Sequence, residues 1–348
     1  MRAWLLVAAG IVSCTSQETP APRVHLPVPP EDAGPPALPP VLDRSADWDV
    51  TDQGAPELRS MNDDGIPSLL ADATGVTFAM HRMVVAACMK CTADRRVRRW
   101  DGAAWTGILS ENGWPGSGSQ STALAPGPAG TFFADSDLSD PYHPPLRVHL
   151  WTLDAGQRTE PLPPLGSGEQ ASNPALAVDA AGAPTVAWPR AATPRPAPRC
   201  AAGEVAVARW DDAARAWRSL PMLSSVPERY GTCSLSMLAD GDAVLVAHTS
   251  SFLGQISVDR WDGQAWSSLG ATLGSGLPAL ARSPRGTPLV ITSLGVLEWT
   301  DQWRIAAPAS DFVPVAIASG RAEVWSWWAE DATLAHPAQG QLRRMTLK

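Results

Sequence analysis

Lysine is almost missing from this chain: only Lys90 and Lys348 occur among its 27 basic residues. The formal net charge is −8. A nucleic-acid-binding surface needs clustered lysine and arginine, so this composition argues against a nucleic-acid partner. The sequence also lacks a glycine-rich phosphate loop and an assignable Ser/His/Asp or Cys/His nucleophilic set. We therefore assign no catalytic residue, and we expect no cofactor and no metal.

Long helical patterns are missing as well. We find no sustained 3.6-residue hydrophobic periodicity, which excludes a solenoid built from helices. The apolar run from Ala3 to Val12 is too short to span a bilayer. Because this run follows Met1-Arg2, it has the layout of a signal peptide.

The end of that run resembles the bacterial lipobox, in which an aliphatic and a small residue precede a cysteine. Here the matching residues are Ile11-Val12-Ser13-Cys14. The resemblance implies a signal peptide at 1–13, cleavage before Cys14 and lipid on that cysteine. Thr15 rather than aspartate follows, which implies a lipoprotein of the outer membrane, held there by several acyl chains. An ordinary signal peptide with an incidental cysteine is the alternative.

Residues 14–44 are rich in proline, which breaks helices and β-ladders and favours extended polyproline segments. We interpret this segment as a disordered tether. The globular domain then occupies residues 45–348, a length sufficient for one large repeat domain.

Tryptophan dominates the aromatic residues, with 16 Trp against 2 Tyr and 5 Phe. Many of them recur in a short pattern whose clearest copy is Arg260-Trp261-Asp262-Gly263-Gln264-Ala265-Trp266. The pattern predicts a β-hairpin, because an Asp-Gly pair supplies the positive φ angles of a tight turn. Variants begin at Arg99, Arg209 and Glu298. We interpret these tryptophans as plates packed between sheets, with the indole N–H bonded to a neighbouring carbonyl.

A second phrase, strand–polar turn–strand, precedes most of these hairpins. Six copies lie at 66–79, 122–134, 173–188, 234–248, 277–292 and 313–327. Each unit thus supplies four short strands, and units repeating every ~40–50 residues are typical of a β-propeller. We predict an all-β fold, a six-bladed β-propeller, with seven blades or a two-sheet sandwich as alternatives. The sixth unit lacks the Trp pair, and residues 46–59 could add a strand that closes the ring.

The hairpins resemble the outer strands of kelch repeats and, more loosely, the Asp-box of sialidase-like propellers. The copy with the tail Trp217-Arg218-Ser219-Leu220-Pro221-Met222 is especially similar to kelch repeats. The double glycine of kelch repeats and the full Ser-x-Asp-x-Gly-x-Thr-Trp box are both missing. The resemblance implies the fold and carries no activity.

One face of the expected ring carries the variable connections, and we call it the loop-rich face. Its long loops lie at 80–95, 135–145, 189–203, 226–233 and 249–255. Binding residues are usually found on such loops. The opposite turns are short and repetitive.

Four cysteines follow Cys14, all in these loops or beside them, and an even count in an exported chain predicts disulfides. Cys200 and Cys233 fall on the same face of adjoining segments, so we pair them and leave Cys88 with Cys91. A metal or redox site at the Cys88/Cys91 motif is the alternative. A single CxxC motif with one histidine nearby is weak evidence for zinc.

The second strands of the six units bring one residue each to the loop-rich end, around the expected channel. Asp135, Trp188, His248 and Trp327 could there hold a sugar or a peptide through stacking and polar contacts. Met80 and Thr292 complete the set. The alternative is that each residue packs or caps its own loop. The acidic run at 135–140 could seat Ca²⁺ but lacks the glycine and distal glutamate of an EF-hand, which favours a solvated turn.

These observations lead to a broad functional expectation. The main one is a non-catalytic, lipid-anchored envelope protein whose propeller binds a glycan or a partner protein. The alternative is a sialidase-like glycan-acting hydrolase, degenerate because the Arg-Ile-Pro motif is missing although Arg190, Arg195, Arg199, Arg229 and Tyr230 share the loop-rich side. A purely structural part of an envelope assembly is the third possibility.

Overall fold

The computed structural model describes the globular part of the chain. The chain divides into two units, Met1–Pro40 and Val41–Lys348, and every described residue belongs to the second unit. None of the described residues forms a helix that is long and apolar enough to cross a membrane. The described residues are 43, 45–53, 67–72, 75–81, 95–109, 122–128, 130–136, 146–152, 157–158, 174–190, 204–223, 234–249, 255–329 and 340–348.

The described chain is built from strands, apart from one short 3-10 helix at Ser45–Asp47. In chain order the strands are β1 (Trp48–Asp52), β2 (Pro67–Asp72), β3 (Gly75–His81), β4 (Arg95–Trp100), β5 (Trp105–Leu109), β6 (Thr122–Gly127), β7 (Gly130–Ser136), β8 (Leu146–Thr152), β9 (Gln157–Arg158), β10 (Ala175–Val178), β11 (Pro184–Arg190), β12 (Glu204–Asp211), β13 (Ala216–Ser219), β14 (Ser234–Asp240), β15 (Ala243–Thr249), β16 (Gln255–Trp261), β17 (Trp266–Ser275), β18 (Leu280–Arg282), β19 (Pro288–Thr292), β20 (Gly295–Trp299), β21 (Trp303–Pro308), β22 (Val313–Ser319), β23 (Glu323–Ala329) and β24 (Gly340–Leu347).

These strands form six four-stranded antiparallel sheets within the described residues. We number the sheets in chain order from β2–β5 to the sixth, which has the order β1-β24-β23-β22. One edge strand of each sheet faces the middle of the ring, and these are β2, β6, β10, β14, β18 and β22. Each of them contacts the next in this order, and β22 contacts β2, which closes the ring. The predicted all-β propeller fold is therefore confirmed.

The sixth sheet is assembled from both ends of the domain. β1 pairs antiparallel with β24, from Trp48 opposite Leu347 to Asp52 opposite Arg343. The strand predicted within residues 46–59 thus closes the ring. Trp48 takes the place that Trp266 and Trp303 hold in the fourth and fifth sheets, opposite the last residue of the third strand. An indole from the start of the domain therefore replaces part of the Trp pair that the sixth unit lacks.

The core lies between neighbouring sheets, so each middle strand is apolar on both faces. All seven residues of β15 are buried. Val244 and Val246 pack against the third sheet, whereas Leu245 and Ala247 pack against the fifth. Burying such a side chain contributes about 1.5–3 kcal/mol at most. This two-sided burial explains why these strands show no alternation of apolar and polar residues.

The outer hairpins differ in detail from the predicted Asp-Gly turn. Trp261 pairs with Trp266, so the turn spans four residues. Asp262 Oδ1 accepts the backbone N–H groups of Gln264 and Ala265, both at 2.8 Å. Only the glycine has a positive φ, +100° at Gly263. The aspartate therefore acts as a hydrogen-bond acceptor rather than as a residue with a left-handed backbone.

The hairpin tryptophans pack as plates, as the sequence predicts, but their N–H groups do not all bond to a carbonyl: Trp210 Nε1 donates to the Asp212 carboxylate at 2.8 Å. The rings of Trp261 and Trp266 lie 5.5 Å apart between centroids, and those of Trp299 and Trp303 lie 5.2 Å apart. Trp266 Nε1 donates a hydrogen bond to the carbonyl oxygen of Pro221 in the third sheet's last segment at 2.7 Å. The indole thus joins two sheets through both its ring and its N–H group.

Candidate functional site

A cavity of about 380 Å³ occupies the middle of the ring. Its walls come from the first strands of all six sheets, β2, β6, β10, β14, β18 and β22, and from residues next to them. Most lining side chains are aliphatic or alanine, and Arg282 is the charged residue among the described lining. The cavity is a concave feature of the described residues that could hold a ligand.

The predicted site residues lie in the second strands, one strand outside the cavity wall. Trp188, His248 and Trp327 are 6%, 3% and 0% exposed, and none of them lines the cavity. Asp135 lies near the end of β7, opposite Thr122. The structure therefore places these residues around the ring but does not bring the three buried side chains together in the cavity. Their role in ligand binding stays a prediction.

Trp327 is not equivalent to the other predicted residues. Trp188 packs against the second sheet, which precedes its own. Trp327 instead packs with Leu69 of the following sheet, and Trp328 packs against the preceding one. Val324 faces the preceding sheet as Val244 does in β15, and Trp328 and His248 each lie four residues further along their strands. Trp328 therefore holds the position that was predicted from the sequence for Trp327.

His248 forms a buried pair that the sequence did not reveal. Its Nε2 lies 2.8 Å from Asp259 Oδ2, and each residue is 3% exposed. His248 belongs to β15 and Asp259 to the neighbouring β16, so only the pairing of these strands brings them together. The carboxylate holds the imidazole ring in a fixed orientation. The signal in the sequence was Asp259, an acidic residue between the apolar residues Val258 and Trp261.

A second missed feature is an ion pair within the repeating sheets. Asp179, just after β10, pairs with Arg209, and Asp240, at the end of β14, pairs with Arg260 at 3.3 Å. Each arginine precedes the first tryptophan of its hairpin. The recurring Arg-Trp dipeptide and the acid that follows each first strand were the available signals.

In the fifth sheet, the residue before the first tryptophan of the hairpin is acidic, and its charged partner is basic. Glu298 precedes Trp299 and is fully buried. Its Oε1 accepts a hydrogen bond from the Thr287 hydroxyl at 2.5 Å, and its Oε2 lies 3.8 Å from Arg285 Nη1. Arg285 also reaches Asp47 at 3.4 Å, so the cluster connects the fifth sheet to the segment that closes the ring.

Several sequence predictions fall outside the described residues. These are the lipidation site Cys14, the cysteines Cys88, Cys91, Cys200 and Cys233, and the acidic run after Ser136. Of the arginines in the sialidase-like alternative, only the backbone of Arg190 is described. Within the described ranges, no group of three or more His, Cys, Asp or Glu side chains is placed to hold a metal ion.

Comparisons with known proteins complete the description of the fold. No protein-family model matches the chain, and no curated protein matches it. Similar solved structures include an α-L-arabinanase from Penicillium chrysogenum complexed with arabinobiose (TM-score 0.56, 11% identity, 85% of this chain and 97% of that chain). The six-bladed β-propeller Aleuria aurantia lectin matches with a TM-score of 0.50 at 14% identity, over 70% of this chain and 78% of that one. Trypanosoma rangeli sialidase matches with a TM-score of 0.50 at 8% identity, over 86% of this chain and 59% of that one.

These similarities correct the main functional expectation. At such identities the likeness shows a shared fold. An arabinanase and a sialidase are among the proteins that have it, which contradicts the expectation of a non-catalytic binding module. The findings favour the alternative, a propeller that acts on glycans.

Proposed function

We propose that this protein acts on glycans, at the mouth of the central cavity on the loop-rich face. The observation that carries this proposal is the closed ring of sheets around a cavity, together with the structural match to an arabinanase over 97% of that protein's length. The lectin and the sialidase support it, since each is named for carbohydrate recognition or cleavage. Ligands of ring-shaped β-folds commonly bind where several loops converge above a rigid scaffold.

Asp135 is the best candidate for an acidic group at this site. It is the one carboxylate among the residues that equivalent positions of the second strands contribute, the others being Met80, Trp188, His248, Thr292 and Trp328. Glycoside hydrolysis commonly uses two carboxyl groups, one of which donates or accepts the proton of the leaving group. In this proposal Asp135 supplies one of them, and a loop of the same face supplies the second.

Turnover by the purified full-length protein tests the proposal. The substrates are 4-nitrophenyl α-L-arabinofuranoside, a 4-nitrophenyl sialoside and linear arabinan, with released nitrophenol or reducing ends as the measurement. We expect hydrolysis of at least one substrate and a loss of about 10²–10⁴-fold in kcat for Asp135→Asn. Asp262→Asn, at an outer turn, is the matched control and should keep full activity. Lack of turnover of every substrate contradicts the function, whereas equal activity of Asp135→Asn contradicts only the residue assignment.

We also propose that the chain is exported and anchored through Cys14 to the outer membrane. The lipobox-like residues and the proline-rich segment after them support this proposal. Radiolabelled palmitate should be incorporated into the wild-type protein and not into Cys14→Ala, which should appear in the soluble fraction. Labelling of Cys14→Ala to the wild-type level would contradict the anchor.

The same compartment favours the two predicted disulfides, Cys88–Cys91 and Cys200–Cys233. Peptide mapping of the unreduced protein measures both. Free thiols at all four positions would contradict them.

A further inference from the structure

The wall of the central cavity is poorly suited to a sugar. Leu124, Leu238 and Val315 line it and remain partly exposed, so hydrocarbon surface faces the interior. Two serine hydroxyls in the wall are already engaged: Ser236 Oγ accepts the backbone N–H of Leu280 at 2.9 Å, and Ser319 Oγ accepts that of Arg282 at 2.5 Å. The wall therefore presents more apolar than polar surface, which favours a ligand with a substantial apolar part.

Arg282 gives this apolar cavity one charged end. Its Nη2 forms an ion pair with Asp240 Oδ1 at 2.9 Å and donates a hydrogen bond to the carbonyl oxygen of Ala239 at 2.5 Å. Asp240 is shared, because Arg260 Nη2 lies 3.3 Å from its Oδ2. Two guanidinium groups and one carboxylate leave a net charge of +1. Among the described residues, Nε and Nη1 of Arg282 meet no acceptor, so they are available to an anion.

We propose that the cavity binds a single-chain carboxylate of the medium-chain fatty-acid class. The hydrocarbon chain lies along the six first strands, and the carboxylate accepts hydrogen bonds from Arg282. The volume of about 380 Å³ falls within the range of about 300–1,000 Å³ that is typical of small-molecule pockets, and we choose decanoate as the probe of that size class. Charge complementarity at Arg282 selects the anionic head group, since arginine binds carboxylates through its planar fork of donors. This site is separate from the glycan-acting mouth proposed above.

Isothermal titration of the full-length protein with hexanoate, octanoate and decanoate tests the apolar part of the site. Each buried methylene should raise the affinity about fourfold, so each pair of carbons should raise it about 16-fold. Lack of binding of decanoate, or an affinity that does not depend on chain length, would overturn the proposal. Glycoside turnover is measured independently, so either proposal can fail alone.

Three variants test the charged end. Arg282→Gln should weaken decanoate binding at least tenfold and leave binding of 1-decanol unchanged. Asp240→Asn removes the competing carboxylate and should strengthen decanoate binding. Arg304→Gln, whose arginine pairs with the exposed Asp301 of an outer turn, is the control and should bind like the wild type. Circular dichroism shows whether Arg282→Gln folds. If it does not fold, the Asp240→Asn variant tests the role of Arg282 instead. Unchanged or weaker binding of decanoate by Asp240→Asn would overturn the assignment of Arg282.

Discussion

The fourth and fifth sheets are neighbours with the same strand order, yet they balance charge in opposite ways. Before the first tryptophan of its hairpin, the fourth sheet has Arg260, whose side chain is 44% exposed and pairs with Asp240. The fifth sheet has Glu298, fully buried, with Thr287 and Arg285 as partners. The comparison teaches that the repeat retains a compensated polar group at this position rather than a particular residue. The depth of burial determines how much stability is lost when the group at this position has no partner.

The two sheets also differ at the loop-rich face. Residues 250–254 connect β15 to β16, whereas only Ser293 and Leu294 connect β19 to β20. The short connection requires Gly295, which has a φ of +123°. A Cβ atom there would lie 2.0 Å from the carbonyl oxygen of Ala307. The fifth sheet therefore tolerates less change at this end than the fourth.

The largest effect should come from Gly295→Ala, which adds a methyl group at the short connection between β19 and β20 of the fifth sheet. Because the new methyl group would collide with backbone, we expect a loss of more than about 4 kcal/mol in the free energy of unfolding, or no folded protein. Gly286→Ala is the matched control: its φ is also positive, +85°, but nothing lies within 4 Å of the added Cβ. Its cost should be about 1–3 kcal/mol. Urea unfolding measures both, and similar losses for the two variants would contradict the steric argument.

A charge exchange tests the central comparison directly. Glu298→Arg places a second guanidinium beside Arg285 and should cost about 3–5 kcal/mol, because it leaves buried charge uncompensated. Adding Ser283→Asp, which recreates the arrangement of Asp240 with Arg260, should recover at least half of that loss.

The single variant Ser283→Asp is the control for this cycle. Alone it should be destabilising, since it brings a second carboxylate near Glu298. Additive losses in the double variant would show that the two sheets are not built on the same principle.

A smaller difference is expected at the outer tryptophans. Trp266→Phe removes the hydrogen bond to the carbonyl oxygen of Pro221 and should cost about 1 kcal/mol beyond the change in packing. In the fifth sheet, Trp303 Nε1 is buried with no partner in the described part of the chain. Beyond the change in packing, which is larger for the more buried Trp303, Trp303→Phe should therefore cost less than Trp266→Phe. Thermal denaturation compares them, and the reverse order would contradict the assigned role of the N–H group.

The smallest effect concerns pH and the exposed outer turns. Hydrogen bonds from the backbone N–H groups of Ala265 and Gln264 lower the pKa of Asp262 below 3.8. The hydroxyl of Thr300 and then the guanidinium of Arg304 lower the pKa of Asp301. A carboxyl whose folded pKa is depressed stabilises the protein above its unfolded value, and that contribution is lost as pH falls through the folded value.

The urea midpoint difference between wild type and Asp262→Asn should consequently shrink from pH 6 to pH 3. Asp301→Asn should behave likewise, and 1 M salt should reduce its effect more, because screening weakens the contribution of Arg304. A difference that grows at low pH would contradict both assignments.

The fold could be predicted because its signal is repeated. Short apolar strands alternate with Trp-containing hairpins in most units, so an irregular copy does not hide the pattern. The sequence indicated that residues 46–59 could supply a strand that closes the ring. It did not indicate the position that Trp48 takes in the sixth sheet. Its place opposite Leu347 becomes apparent only when the two ends of the domain pair.

The site was harder to predict, because it depends on register. Trp327 and Trp328 are adjacent in β23, and only the packing shows that Trp328 faces the preceding sheet whereas Trp327 faces the following one. Likewise, Asp259 is a partner of His248 only once β15 and β16 are aligned. Repeats reveal architecture, whereas contacts between strands require coordinates.

The closure of the ring by β1 has a consequence for synthesis on the ribosome. Each of the first five sheets consists of four strands that are consecutive in the chain, so each sheet can form as its residues emerge from the ribosome. β1 emerges before all of them, but its partner β24 is made last. Until then the edge of β1 stays unpaired, and exposed strand edges promote association between chains. Newly made chains released before Leu347 should therefore aggregate rather than fold.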